Sequence, residues 1–164
     1  MQINLKMTLV ASLLAVLCGC ASAPKPPPPP KDVALHLTAA ADLNPDAGGR
    51  PSPLVVRVYL LRQDTAFKAA EFFALYDHGK ETLGADLVAT QELEFKPGES
   101  RVVTFKGDAQ VHTVAVMAAY RDLRNAVWRA SLDLPAPAKR AKASAPVILD
   151  AGLARAGVTL VPGH

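Results

Sequence analysis

From Asp32 onwards, apolar residues recur mainly at every second position, which is the period of β-strands that bury one face. Val33–Ala39 alternates in this way, whereas Leu54–Leu61 is apolar almost throughout, as expected of a central strand covered on both faces. Val111–Tyr120 is also apolar on both faces, so we expect it at the centre of the core. The other predicted strands are Leu87–Phe95, Arg101–Phe105, Val127–Leu132, Pro146–Leu149 and Val158–Val161.

The stretch after Leu61 has a helical period instead. Asp64 or Thr65 is the predicted N-cap, and the helix is expected to end at Asp77–Gly79, with Lys80–Gly84 adding a short helical turn. Its apolar positions are Phe67, Phe72, Leu75 and Tyr76. Such an aromatic stripe either lines a ligand site or, as we interpret it here, covers one side of a β domain.

About eight strands at this spacing, with a small helical insertion after the second strand, predict a mainly β fold, a two-sheet β-sandwich in residues 32–164. Trp128 is expected to pack in or against the core, and its neighbour Arg129 to face outward. His36 lies on the outer face of the first predicted strand, where a lone histidine is more often solvated than a metal ligand.

The segment Asp42–Pro53, between the first two predicted strands, is irregular. It contains Asn-Pro, Gly-Gly and two further prolines, a combination that excludes helix and strand. A loop this long inside a compact domain is often functional, and its prolines reduce the entropy lost on docking. The charges of Asp42, Asp46 and Arg50 suit protein recognition, although a plain connector is the alternative interpretation. Asn44 and Asp46 are expected to hold the turn by bonding their own backbone.

The N-terminal segment has the pattern of an export signal. Lys6 is the only charged side chain before an apolar stretch, Met7–Leu17, which is too short to span a bilayer as a helix. Leu17-Cys18-Gly19-Cys20 resembles a bacterial lipobox, in which the peptide is cut before the last cysteine and that cysteine receives lipid. We therefore expect residues 1–19 to be a lipoprotein signal peptide and Cys20 to be acylated. An ordinary cleaved signal followed by a soluble protein is the alternative.

Residues 20–31 read CASAPKPPPPPK and join the acylated cysteine to a proline-rich tether. Consecutive prolines hold polyproline II at about 3.1 Å per residue, so residues 21–31 extend over roughly 34 Å. We interpret this segment as a stiff spacer between membrane and domain; a proline-rich docking ligand is the alternative.

Charge gives little reason to expect nucleic-acid binding. Without residues 1–19, which contain one charged side chain, the chain keeps 17 basic and 15 acidic residues, and it has no basic stripe with interleaved aromatics. The basic cluster Lys139–Lys142 lies in a polar loop, Pro135–Ala145, which we interpret as solvated. Contact of this loop with anionic lipid or with a partner is the alternative.

The sequence contains no recognisable catalytic or metal-binding motif. Both cysteines, Cys18 and Cys20, belong to the export segment, and the 4 histidines have no ligand spacing. We therefore expect no enzymatic activity, no metal and no cofactor beyond the covalent lipid on Cys20. A hydrolytic site assembled across the sandwich is the alternative.

The order of several short motifs resembles one family, the outer-membrane lipoprotein of the type VI secretion apparatus, called TssJ, VasD, SciN or Lip. Besides the lipobox, the similarity lies in Leu43–Asp46, Arg50–Leu61, Phe67, Phe72–Tyr76, Leu83–Leu87, Lys96–Glu99, Ala118–Leu123 and Trp128–Arg129. Each motif is weak alone, but their order and spacing together are fairly specific. The similarity covers nearly all of the chain after the tether, except the Pro135–Ala145 loop.

The resemblance implies a transthyretin-like sandwich with an added helical element and no catalysis. It also implies anchoring in outer-membrane lipid, facing the periplasm, which Ala21 after Cys20 favours as well. The implied partner is the periplasmic C-terminal domain of TssM, the large IcmF-like inner-membrane subunit, alongside other subunits of the membrane complex. The contact it implies is the loop between the first two strands. The predicted contact residues are Asp42, Leu43, Asn44, Pro45, Asp46, Arg50, Pro51, Ser52 and Pro53.

Two other classes of protein remain open at this point. One is a lipoprotein assembly factor of another envelope machine, and the other is a transthyretin-like ligand carrier or enzyme. A neighbouring gene for an IcmF-like membrane protein would favour the type VI interpretation, whereas a small molecule retained by the purified protein would favour the carrier.

Overall fold

A computed structural model describes residues 32–135 and 146–163. Two four-stranded sheets form a sandwich, with the strand orders β4-β1-β7-β8 and β3-β2-β5-β6. The strands are β1 (Val33–Ala39), β2 (Leu54–Leu61), β3 (Leu87–Phe95), β4 (Ser100–Phe105), β5 (Thr113–Ala118), β6 (Arg129–Asp133), β7 (Val147–Ala154) and β8 (Gly157–Pro162). This confirms the predicted mainly β sandwich. No helix in these two ranges is long and apolar enough to cross a membrane.

The first sheet is built around β1, which pairs antiparallel with β4 and parallel with β7. Val33, Leu35 and Leu37 are fully buried and alternate with more exposed residues, so the two-residue period predicted this strand correctly. On the outer face, Nδ1 of His36 lies 3.3 Å from the Asp150 carboxylate of β7. His36 therefore faces outward as predicted, with an acidic neighbour beside it.

The second sheet has β2 and β5 at its middle, and all six residues of β5 are buried. This confirms that Val111–Tyr120 supplies the centre of the core, although β5 is shorter than that stretch. Val111 and Tyr120 are buried too, but they lie in turns outside the strand. The N–H of Val111 donates to Asp108 O (3.0 Å), and the N–H of Tyr120 donates to Ala118 O (3.0 Å).

Two helices connect β2 to β3: α1 (Thr65–Ala69) and α2 (Phe72–Leu83), the latter followed by a 3-10 turn at Gly84–Asp86. The prediction of one continuous helix was wrong. Ala70 and Glu71 have extended backbone, with ψ of 145° and 157°, and this separates α1 from α2.

The ends of the helices also differ from the prediction. Asp64 occupies the N-cap position of α1, but its carboxylate bonds the side chains of Lys68 and Ser131 and not the helix backbone. At the predicted helix end, Asp77–Gly79, α2 bends instead of ending, because His78 has a non-helical backbone (φ −129°, ψ 34°).

Both helices cover the outer face of the second sheet. Their buried residues pack there against those of β2 and β5; the cluster comprises Tyr59, Leu61, Phe67, Phe72, Leu75, Leu83, Ala115 and Met117. The aromatic stripe therefore covers one side of the sandwich as predicted. Tyr76 lies at its margin, 37% exposed, with its ring stacked on that of Phe72.

Two arginines of the second sheet attach the helices to it. Nη1 of Arg129 donates to the carbonyl oxygens of Phe67 (3.0 Å) and Ala70 (2.6 Å) at the end of α1, where helix carbonyls lack partners within the helix. Nη1 of Arg57 donates to two carbonyls of α2, at 3.1 and 2.9 Å. Arg129 thus points out of the sandwich as predicted, but it lies against α1 and is only partly exposed.

Trp128 packs against both apolar clusters, the one between the sheets and the one beneath the helices, which confirms its predicted place. Its ring meets the Phe72 ring edge-on, with centroids 5.3 Å apart, and the Arg129 guanidinium lies 4.5 Å from its centroid.

The strand β7 is longer than the predicted Pro146–Leu149. Asp150–Gly152 was expected in a connection, yet it lies inside β7 and pairs with β1 on one side and with β8 on the other. A Cβ at Gly152 would lie 2.7 Å from Thr159 Oγ1, so a larger residue would require the Thr159 side chain to move. The glycine therefore marks a close approach of two strands and not a turn.

Candidate functional site

Four connections lie at the end of the sandwich where β1 finishes. One is the Lys96–Glu99 turn between β3 and β4. The other three meet beside it: the Asp42–Pro53 loop between β1 and β2, the segment 119–128 between β5 and β6, and the Arg155–Ala156 turn between β7 and β8. The strand directions explain the meeting: β7 runs parallel to β1 and ends beside it, and β5 runs antiparallel to β2 and ends where β2 begins. We call this surface the loop end. Val33, the first residue of β1, lies at the opposite end of the sandwich.

Asn44 joins all three connections. Its Nδ2 donates to Pro53 O (2.7 Å), its Oδ1 accepts from the Arg121 N–H (2.9 Å), and its own N–H donates to Arg155 O (3.2 Å). The residue is buried with φ of +45°, a left-handed conformation that asparagine tolerates better than most residues. The bonds of Asn44 therefore close the mouth of the loop and attach it to its neighbours.

Two more of the predicted contact residues face the interior. Leu43 is fully buried in the core, and Ser52 is 6% exposed. The Ser52 N–H donates to Leu43 O (2.9 Å), which bonds the two legs of the loop to each other. Leu43, Asn44 and Ser52 thus support the loop from inside, and the surface open to a partner consists of the other predicted residues.

Asp46 closes a tight turn at the tip of the loop. Its Oδ1 accepts from the N–H groups of Gly48 and Arg50, both at 3.0 Å, and its Oδ2 accepts from Arg50 Nε (3.2 Å). Gly49 has φ of +80°, a conformation that favours glycine. These bonds, chiefly that from the Arg50 N–H, hold the pKa of Asp46 below its ordinary value. The prediction that Asp46 bonds its own turn is confirmed.

The outer surface of the loop is charged and exposed. The Arg50 side chain is 84% exposed, and Pro51 and Pro53 are exposed beside it. On the other leg, Asp42 Oδ2 lies 3.8 Å from Arg155 Nη1 of the neighbouring turn. The loop therefore presents charge and stiff proline backbone on a fixed frame.

A cleft of about 520 Å³ lies between the three connections. Asn44–Ala47 forms one wall, Tyr120–Asp122 forms the other, and Arg155–Ala156 closes one side. The hydroxyl of Tyr120 donates to Ala154 O (3.1 Å) and is buried, which raises its pKa, so this group stays a neutral donor. The cleft thus has polar, charged walls with a rigid base.

The second wall of this cleft was not predicted. Arg121 and Asp122 were named only within the family motif Ala118–Leu123 and were not predicted to be part of the site. Their place beside the loop depends on the pairing of β5 with β2, which sets Ala118 opposite Val56. A single sequence carries no direct signal for that pairing, although the unusually polar turn after an apolar strand was visible.

The described residues gather no candidate metal centre. Within 32–135 and 146–163, no three or more His, Cys, Asp or Glu side chains lie where they could hold a metal ion. What the loop end offers is hydrogen-bond donors and charge, which suit the binding of peptide groups and carboxylates.

Cys20, the tether in residues 20–31 and most of the Pro135–Ala145 loop lie outside the described residues. Acylation of Cys20 and partner binding by that second loop therefore stay predictions.

The fold and the loop end together define a class of protein: a small two-sheet sandwich with a helical insertion on one sheet and a rigid, charged loop at one end. A family model described as "Type VI secretion lipoprotein, VasD, EvfM, TssJ" matches residues 31–151. The chain belongs to this family, which confirms the resemblance found in its sequence.

Solved structures agree with this assignment. The chain is similar to the type VI lipoprotein TssJ1 of Pseudomonas aeruginosa, with 40% identity over 83% of this chain and 98% of that chain, and a TM-score of 0.74. It is similar to Serratia marcescens Lip, a membrane-bound component of the type VI secretion system, with 27% identity, 83% and 99% coverage and a TM-score of 0.75. It is also similar to a chain of a type VI membrane complex, with 26% identity, 82% and 100% coverage and a TM-score of 0.65. No curated protein matches the chain.

Proposed function

We propose that this protein is a non-catalytic, outer-membrane-anchored lipoprotein of the type VI secretion membrane complex. In this proposal, the exposed part of the Asp42–Pro53 loop binds the periplasmic C-terminal domain of a TssM-like inner-membrane subunit. Family membership and the similarity to a chain of a type VI membrane complex support a role in that assembly. The resemblance of the sequence to the family supplies the partner and the contact loop.

The observation that carries the proposal is that hydrogen bonds within this chain define the shape of the loop. Asn44 and Asp46 fix its mouth and its tip, while the Arg50 side chain is left 84% exposed. A recognition loop that is ordered in advance loses less conformational entropy on docking. The planar guanidinium of Arg50 presents a donor fork that suits a carboxylate or carbonyl of the partner.

The direction of β1 supports the anchoring part of the proposal. The chain enters the sandwich at Val33, and the loop end lies at the other end of β1. A lipid anchor that precedes Val33 would therefore leave the loop end facing away from the outer membrane, toward a partner that spans the periplasm. Two or three acyl chains on Cys20 would hold stably, since a single chain binds only marginally.

Metabolic labelling with a fatty-acid analogue tests the anchor. Cys20→Ser should abolish labelling, because only the thiol accepts the diacylglyceryl group. Cys18→Ser is the matched control and should be labelled like the wild type, since it keeps the predicted acylation site. Equal labelling of wild type and Cys20→Ser would reject the anchor.

A pull-down from detergent-solubilised envelopes tests the partner. The tagged full-length chain should recover the TssM-like subunit. Recovery of other membrane-complex subunits without the TssM-like protein would contradict direct binding to it.

A further inference from the structure

Arg121 and Arg124 are unpaired charges at the loop end. Both are exposed, and neither side chain has a hydrogen-bond or ion-pair partner among the described residues. The backbone of Arg121 is fixed, because its N–H donates to Asn44 Oδ1 (2.9 Å). The Arg121 side chain is therefore unpaired at the wall of the cleft, while the Asp42–Pro53 loop fixes the position of its backbone.

The acidic side chains around the cleft are already engaged. Asp46 is bonded within its own turn, and Asp42 faces Arg155 at 3.8 Å. The carboxylate of Asp122 accepts two hydrogen bonds from Asn125 Nδ2, at 3.0 and 2.8 Å. The Asn125 amide is neutral, so Asp122 keeps its charge; the three connections together contain four arginines and three aspartates, and their net charge is +1.

We propose that the cleft and the segment beside it bind an acidic segment of the partner protein, whose carboxylates pair with Arg121 in the cleft wall and with Arg124, which lies in the same connection outside the cleft. This inference rests on the proposed function and adds the kind of partner surface that is recognised. Guanidinium groups bind carboxylates through two parallel hydrogen bonds, and binding partners present complementary charge. At about 520 Å³, the cleft has room for side chains of an inserted segment.

The position of the cleft favours a protein over the membrane surface as the source of negative charge. The cleft and Val33 lie at opposite ends of β1, which has 7 residues. At about 3.3 Å per residue this separates them by roughly 23 Å. The predicted spacer of roughly 34 Å between the anchor and the domain would keep the cleft further from the lipid still.

Association kinetics test the inference, with the full-length chain in detergent and the periplasmic domain of the TssM-like subunit as the probe. Reversal of both charges, Arg121→Glu with Arg124→Glu, should slow association at least about tenfold, because charges at an interface rim act mainly on the association rate. Added salt should slow the wild type more than this variant. Arg121→Lys with Arg124→Lys keeps the charge and should keep most of the rate.

Arg62→Glu is the matched control. Arg62 is exposed, follows the last residue of β2 at the end opposite the cleft, and has no side-chain partner among the described residues. Its reversal should leave the association rate unchanged. All variants should melt like the wild type, because none of these side chains supports the fold.

The outcomes separate the inference from the function beneath it. If the wild type binds and the reversed variant associates equally fast, the acidic segment is rejected while the proposed function stands. A Cys20→Ser chain, which cannot be acylated, serves for the lipid test: if it binds phosphatidylglycerol vesicles, its charge-reversed form does not, and partner kinetics are unchanged, the cleft binds lipid and the inference is again overturned. If the wild type does not bind the partner domain at all, the proposed function and the inference both fail.

Discussion

The two connections that flank β2 are held in place by different forces. The helical insertion between β2 and β3 is fixed mainly by burial, with Phe67 and Leu75 inside an apolar cluster on the outer face of the sheet. The Asp42–Pro53 loop before β2 has no regular structure, and the hydrogen bonds of Asn44 and Asp46 fix it while Arg50 stays in solvent.

Because of this difference, we expect the helical insertion to contribute mainly to stability and the exposed residues of the loop mainly to recognition. A change inside the helical insertion removes buried apolar contacts and should therefore lower the free energy of unfolding. In the loop, a few polar residues set the shape and the others meet only solvent. Changes to the exposed loop residues should therefore weaken binding and leave the fold intact.

The largest expected effect is in the helical insertion. Phe67→Ala should lower the free energy of unfolding by about 3–5 kcal/mol, because it leaves a cavity under α1. Urea denaturation measures this. Phe73→Ala is the matched control: Phe73 is 65% exposed, and its loss should stay within about 0.5 kcal/mol. Equal losses from the two changes would show that burial does not hold the insertion.

Replacement of Asn44 should have the second-largest effect. It should lower both the free energy of unfolding and the affinity for the partner. Asn44→Ala removes the partners of the Arg121 N–H and of Pro53 O, at about 1–3 kcal/mol of unfolding free energy. Asn44→Gly loses the same bonds but suits the φ of +45°, so it should be more stable than the alanine variant by about 1 kcal/mol. Both should bind the partner more weakly. An alanine variant as stable as the wild type would show that Asn44 does not hold the three connections together.

Arg50→Ala should act on binding alone. Its side chain bonds only Asp46 and is otherwise in solvent, so the free energy of unfolding should change by less than about 0.5 kcal/mol. Partner affinity should weaken by about 1 kcal/mol, the typical net contribution of one hydrogen bond. Calorimetry measures the affinity and urea denaturation the stability of the same samples, with Arg62→Ala as the control. A loss of stability as large as that of Asn44→Ala would contradict the claim that exposed loop residues affect binding and not stability.

The smallest expected effect is a pH dependence of the loop turn. The pKa of Asp46 is lowered by hydrogen bonds from its own turn, so its stabilising contribution is present above the ordinary value of 3.8 and is lost as the pH falls through the lowered pKa. Wild type should therefore be more stable than Asp46→Asn at neutral pH, with the difference shrinking below that ordinary value. Urea denaturation of both proteins from neutral to acidic pH measures this difference in unfolding free energy. A difference that grows as the pH falls would contradict the stabilising role of the Asp46 carboxylate.

Much of the fold could be predicted because local periodicity and burial agree in it. The strands β1, β2 and β3 have their predicted bounds: β1 alternates between buried and more exposed residues, β2 is mostly buried, and β3 is an edge strand in which only Phe95 is buried. The break between α1 and α2 was not predictable, because Ala70 and Glu71 are ordinary helix residues whose extended backbone follows from packing on the sheet. The extent of β7 depends likewise on its two partner strands.

In the candidate site, too, some features could be predicted from neighbouring residues and others could not. Turn chemistry predicted the loop and the role of Asp46, because both depend on neighbours in sequence. Asn44 and Ser52 were predicted to be contact residues, yet both are buried. That burial, like the second cleft wall at Arg121, follows from contacts between distant segments.

Calorimetry with a loop exchange tests the central claim most directly. Residues 46–51 are replaced by a Gly-Ser linker of equal length, which leaves the buried Leu43, Asn44 and Ser52 in place. The melting curve should stay close to that of the wild type, and affinity for the periplasmic domain of the TssM-like subunit should weaken by at least about 1.4 kcal/mol, one decade in Kd. Undiminished affinity in this chimera, with loss on changing Lys139, Arg140 and Lys142 instead, would place the interface in the Pro135–Ala145 loop and contradict the account.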